Sequence, residues 1–159
     1  MKTLLLGLGN PILCDDGVGI HVVRAVAARG LPDGVDCAEA SVGGLRLLET
    51  IAGYQRVVMV DAIQIPGGQP GAIHRLRPDD LHATLHTGSS HDLSLAAALA
   101  LGRGLGLLLP ADENLLIVAV QAADVLTFAE TCTPAVAAAI PRAVEVVLAV
   151  LAEDGQADG

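Results

Sequence analysis

The chain has 159 residues, 52% of them hydrophobic, and a formal net charge of -9 from 9 Lys+Arg against 18 Asp+Glu. That length suits one domain with its own core, and an acidic balance with no basic stripe argues against nucleic acid as a partner. With one Phe, one Tyr and no Trp, the core has to be built from aliphatic side chains. No signal peptide is expected, because the apolar run at residues 3–8 is short and a polar loop follows it. No membrane span is expected either. Arg103, Pro110 and Asp112 interrupt one apolar stretch, and Pro141, Arg142 and Glu145 interrupt the other. Cys14, Cys37 and Cys132 are odd in number and lack CxxC spacing, which favours a reducing cytoplasm and argues against a zinc knuckle.

Strand and helix patterns alternate along the chain. Residues 2–8 read as a buried strand, and residues 16–29 as a helix stopped by Gly30-Leu31-Pro32. A short strand is expected at 35–39 and a helix at 44–52, with Leu45, Leu48 and Ile51 or Ala52 on one face. Residues 56–62 form the cleanest buried strand, a β-branched run stopping at Asp61. The cluster Pro66-Gly-Gly-Gln-Pro-Gly71 is a turn. Residues 72–76 suggest an edge strand, and 78–90 a polar surface segment. A long Ala/Leu helix opens at His91 and runs to about Gly104. Residues 114–120 give the last strand. The final helix begins at Thr133-Pro134, with proline in its favoured first-turn place. Val136, Ile140, Val144, Val147, Leu148 and Leu151 form its buried stripe, and Pro141 is expected to kink it unless the helix restarts there. The pattern predicts a three-layer α/β sandwich: a twisted, mostly parallel five-stranded sheet with helices on both faces. One domain is expected over residues 1–153, followed by a frayed polar tail at 154–159.

The residues with chemical potential gather after strands. Asp15 and Asp16 follow the first strand between glycines, in Gly7-Leu-Gly-Asn-Pro-Ile-Leu-Cys-Asp-Asp-Gly-Val-Gly19. Helix capping accounts for one Asp. Two adjacent acids are unfavourable unless something positive meets them, and a metal ion does so where a pyrophosphate would be repelled. Asp61 ends a buried strand, at the place where open α/β sheets put their chemistry. Alone, it reads equally as a loop-ordering carboxylate. His91 lies in the first turn of its helix, where the dipole disfavours protonation and keeps the imidazole fit for a metal or a proton.

Other candidates are weaker. His82 and His86 have a zinc-like i, i+4 spacing, but no Glu follows His82, and Pro78, Thr87 and Gly88 favour a solvated loop. Cys14 reads as a small apolar side chain, and His21 and His74 have no evident partners. Gly7-Leu8-Gly9 begins a dinucleotide fingerprint, but Ile12 stands at the third glycine position. Ser41, Ser89 and Ser90 are not in a nucleophile-elbow context.

Taken together, these segments resemble the hydrogenase maturation proteases, which trim the C-terminal extension from the large subunit of nickel–iron hydrogenases. The resemblance rests on the opening Gly7–Gly19, on Val57-Val-Met-Val-Asp61-Ala62, on Ser89-Ser-His91-Asp-Leu-Ser-Leu, on Val118-Ala-Val-Gln121 and on Thr133-Pro134, and it covers nearly the whole chain. It implies that Asp16, Asp61 and His91 form both the catalytic and the metal-binding trio. It also implies that the strand at 72–76 is antiparallel. The ion expected is nickel, carried by the substrate rather than held by the free protein. Two carboxylates and an imidazole suit nickel. The nickel either polarises the scissile carbonyl or only docks the substrate. The expected partner is a nickel–iron hydrogenase large-subunit precursor, met by a cytoplasmic monomer. Many relatives have an Asp-Gly-Gly-Thr-like stretch where this chain has Glu39-Ala-Ser-Val-Gly-Gly44, which leaves the role of Glu39 open. Two other classes stand beside this one: a non-catalytic nickel-binding assembly chaperone, and a nucleotide- or small-molecule-binding α/β module.

Overall fold

A computed structural model describes residues 1–41, 45–80 and 95–153. Five strands form one sheet: β1 (Thr3–Leu8), β2 (Val35–Ala40), β3 (Arg56–Ile63), β4 (Ile73–Leu76) and β5 (Leu115–Gln121). Their order is β2-β1-β3-β5-β4. Only β4 runs antiparallel, against β5. The four α-helices among the described residues are α1 (Val18–Arg29), α2 (Leu45–Ile51), α3 (Leu95–Gly104) and α4 (Pro134–Ala152). The architecture is the expected mostly parallel, five-stranded α/β sandwich.

Strand alternation divides the core into two layers. Leu5, Val58, Val60, Leu116, Val118 and Val120 face α1 and α4, meeting Val22, Val26, Val144 and Val147. Leu4, Leu6, Val57, Met59, Leu115 and Ile117 face the other way and meet Leu48 and Ile51 of α2 and Leu99 of α3. Burial on both faces explains why β1, β3 and β5 read as unbroken apolar runs.

Several boundaries differ from the sequence expectation. β3 does not stop at Asp61, because Asp61, Ala62 and Ile63 continue the ladder opposite Ala119, Val120 and Gln121 of β5. The first helix does not start at Asp16. A 3-10 turn, Cys14–Gly17, precedes α1, and no side chain caps either element. The helix expected from His91 is described from Leu95, and His91 itself lies outside the described residues, as do His82, His86, Ser89 and Ser90.

α4 runs unbroken through Pro141. A proline deprives the carbonyl four residues earlier of its partner. Here that residue is Ala137, which is exposed, so water can replace the lost bond. By length and composition α4 is long and apolar enough to cross a membrane, contrary to the expectation that Pro141, Arg142 and Glu145 would interrupt the stretch. One apolar stripe of it, including Val136, Val144 and Val147, packs against α1 and the sheet.

Candidate active site at the carboxyl edge of the sheet

β1 is joined through α1 to β2 on one side, whereas the chain after β3 builds the other half of the sheet. The gap between the carboxyl ends of β1 and β3 is therefore the topological switch point, the usual ligand crevice of an open α/β sheet. The loop after β1 and the end of β3 place Asp16 and Asp61 there.

Close packing brings the two segments together. A Cβ built on Gly19 would lie 2.1 Å from the Val60 carbonyl oxygen and 2.7 Å from that of Leu8. Only glycine lets α1 rest directly on both strand ends. The 3-10 turn bearing Asp16 also packs against β3. Gly9 plays a second part: its φ of 127° is open to glycine, and an added Cβ would meet the Asp16 carbonyl oxygen at 1.9 Å.

Asp16 is half-buried, and its Oδ2 accepts the Asn10 N–H at 2.8 Å. Asn10 in turn accepts the Ile12 N–H through Oδ1 at 3.1 Å, which fixes the turn around Pro11. Oδ1 of Asp16 takes no hydrogen bond from any described residue. Asp61 is also half-buried, and its Oδ1 accepts the N–H of Ala62 at 2.8 Å. It shares the strand face of Met59 and Ile63, the face covered by α2 and α3. Among the described residues no group of three His, Cys, Asp or Glu side chains is arranged to hold a metal ion.

Asp15 has a different environment. It is fully buried. Its Oδ2 accepts N–H groups from Ala123 at 2.9 Å and Asp124 at 3.0 Å. Its Oδ1 accepts the Thr133 N–H at 2.7 Å, and the Thr133 hydroxyl donates to the carboxylate at 2.8–3.0 Å. Burial pushes the Asp15 pKa up, but the hydrogen bonds outweigh it and hold the group below the usual carboxylate range. The sequence suggested that Asp15 caps its own helix. Instead it ties down the start of α4, where Thr133 makes no cap of its own because its hydroxyl is turned to Asp15. No local signal could have found this, since the partners lie more than a hundred residues away.

Glu39 forms a two-pronged ion pair with Arg24 of α1, Nε to Oε1 at 2.5 Å and Nη2 to Oε2 at 3.3 Å. Cys14 is buried with a φ of 52°, and its N–H donates to the Ala129 carbonyl at 2.9 Å. Burial pushes the Cys132 thiol up to about 11, with the Asp15 carboxylate and Cys14 adding to the rise. A thiol held neutral in this way is not an activated nucleophile. Nε2 of His21 is buried with no hydrogen-bond partner among the described residues.

Residues 20–150 match the hydrogenase maturation protease family. The hydrogenase 2 maturation protease of Escherichia coli K12 is 34% identical over 157 residues, covering 98% of this chain and 93% of its own. The structure of the hydrogenase-maturating endopeptidase HybD from E. coli superposes with a TM-score of 0.83 at 33% identity, each chain fully covered. A maturation protease HybD from Thermococcus kodakarensis shares the fold at 24% identity, with a TM-score of 0.71 and coverage of 95% of this chain and 99% of its own. The fold and these matches define a peptidase class, and the chain belongs to the hydrogenase maturation proteases. It is accordingly a hydrolase, and the readings as a non-catalytic chaperone or a nucleotide module give way.

Proposed function

We propose that this protease removes the C-terminal extension of a nickel–iron hydrogenase large-subunit precursor, and that it does so only after nickel is in place. The observation that supports this reading is that two half-buried carboxylates, Asp16 and Asp61, lie on segments that pack together at the switch point. Asp16 is oriented by Asn10 through one oxygen, and the other takes no hydrogen bond from a described residue. A carboxylate so placed can meet a cation brought in by a substrate. His91 is the third ligand in this proposal. Two oxygens and one imidazole form an open set that holds free nickel weakly and completes its coordination only with the substrate's own ligands.

Nickel thus docks the precursor, and one carboxylate of the pair takes a proton from the water that attacks the scissile carbonyl. The amide C–N bond then breaks, and the leaving nitrogen gains a proton. The protein acts as a monomer in the cytoplasm, where the precursor is assembled.

The test is a mass spectrum of the precursor after incubation with the protein. Nickel-loaded precursor should lose its extension in a single cut, and nickel-free precursor should stay intact even with excess protease. Equal cleavage of both forms would end the nickel-recognition mechanism.

A further inference from the structure

An exposed apolar crest stands beside the switch point. Leu126 and Phe128 are 83% and 80% exposed, and Ile12 is 47% exposed. Phe128 is the one phenylalanine of a chain whose core is otherwise aliphatic. Large apolar side chains grouped in water mark a surface that a partner covers.

The crest is firmly built. Asp124 accepts the N–H groups of Leu126 and Thr127 through Oδ1, both at 2.9 Å. Leu13 and Ala129 form a bridge, the Ala129 N–H donates to the Ile12 carbonyl at 2.9 Å, and the Cys14 N–H donates to Ala129. These bonds join the Ile12 turn to the loop carrying Leu126 and Phe128. Asp15 secures the base of the same loop through Ala123, Asp124 and Thr133. A surface ordered in advance loses less entropy on binding.

Its charge and position point to one occupant. Residues 105–141 contain no Lys or Arg, while Asp124 and Glu130 flank the apolar side chains. The complementary surface is an apolar recess rimmed by basic residues. Asp15, which holds the crest, is followed directly by Asp16, which belongs to the candidate site. A protein seated on Leu126 and Phe128 is therefore held next to the carboxylates.

We propose that Ile12, Leu126 and Phe128 form the docking surface by which the protease grips its precursor, engaging an apolar recess edged with Lys or Arg on that protein. This rests on the endopeptidase reading above. A protease acting on a folded protein needs a hold on it away from the bond being cut, and an exposed aromatic anchor on an ordered loop supplies one.

The experiment is steady-state processing of nickel-loaded precursor by the wild type, by a Leu126→Ser, Phe128→Ser double variant, and by Glu130→Lys. A Leu105→Ser, Leu108→Ser variant is the control, since those residues are 66% and 80% exposed on the α3 end and the loop after it. The double variant should raise KM at least about tenfold, as loss of an interface anchor does, and leave kcat within about twofold. Glu130→Lys should raise KM by about threefold or more, an effect that fades with added salt. The control should keep the wild-type KM. If the wild type leaves the loaded precursor uncut, the endopeptidase reading fails. If the wild type cuts and both crest variants keep its KM, the docking surface alone is wrong. A wild type that sediments as a dimer, dissociated by the double variant without change in KM, would show a self-interface and also overturn the proposal.

Discussion

Asp15 and Asp16 are neighbours of the same residue type, and the fold treats them in opposite ways. Asp15 points inward, is fully buried and receives hydrogen bonds from three residues on a distant loop. Asp16 points to the sheet edge, half-exposed, with a single bond from Asn10. A 3-10 turn makes the division possible, because consecutive residues in it project about 120° apart. One carboxylate stabilises the scaffold, while the other keeps an oxygen that takes no hydrogen bond from a described residue. Adjacent acids in a sequence therefore need not share a task.

Asp16→Asn should damage function most. It keeps the shape and the acceptor for Asn10, so the melting temperature should stay within about 2 °C of the wild type. Processing should fall by about a thousandfold or more if the charge meets the metal-bearing substrate. A loss of stability in place of activity would reverse the roles assigned to the two residues.

Asp15→Asn should show the complementary phenotype. Its amide would turn N–H donors toward the N–H groups that the carboxylate now satisfies, leaving buried donors unpaired. The cost should be about 2–4 kcal/mol, a fall in melting temperature of roughly 4–16 °C for a chain of this size. Activity below the melting transition should suffer less than in Asp16→Asn. Parallel thermal melts and processing assays check both variants, and equal loss of activity would mean that the pair works as a unit.

A smaller effect sharpens the contrast through pH. The Asp15 pKa is lower in the folded state, so its stabilisation is complete above the unfolded carboxylate pKa of about 3.9. It is lost as pH falls from there through the folded value, because the unfolded chain takes up the proton first. Chemical denaturation of the wild type and Asp15→Asn should therefore show a stability gap that is constant near neutrality and narrows below about pH 4. A gap independent of pH would mean that charge is not what Asp15 contributes.

Much of this was legible in the sequence, for a physical reason. Buried parallel strands leave continuous apolar runs, so β1, β3 and β5 stood out, and Gly30 marked the end of α1. The antiparallel sense of β4 came from family resemblance, since four residues, Ile73–Leu76, carry no directional signal. What was hidden depended on distant partners. β3 passes Asp61 because β5 is long enough to pair with it. Asp15 became an anchor because a loop folded back from beyond β5, and Gly19 proved essential only once Val60 lay against it. The local pattern marked only the Asp15–Asp16 pair and Asp61 as candidates, and the choice of Asp16 over Asp15 came from the family resemblance. The exposed crest could not be found that way, because Leu126 and Phe128 look like core residues until burial is known.

The nickel-docking proposal requires Asp16, Asp61 and His91 to meet at one ion. A crystal structure of this protein with a divalent ion such as nickel soaked to saturation decides it. The expected result is an ion at the carboxyl edge of the sheet, with one carboxylate oxygen from each Asp and an imidazole nitrogen of His91 roughly 2–2.5 Å away. An ion bound by other residues, or an ion between the carboxylates with His91 on the far side of the domain, would contradict it.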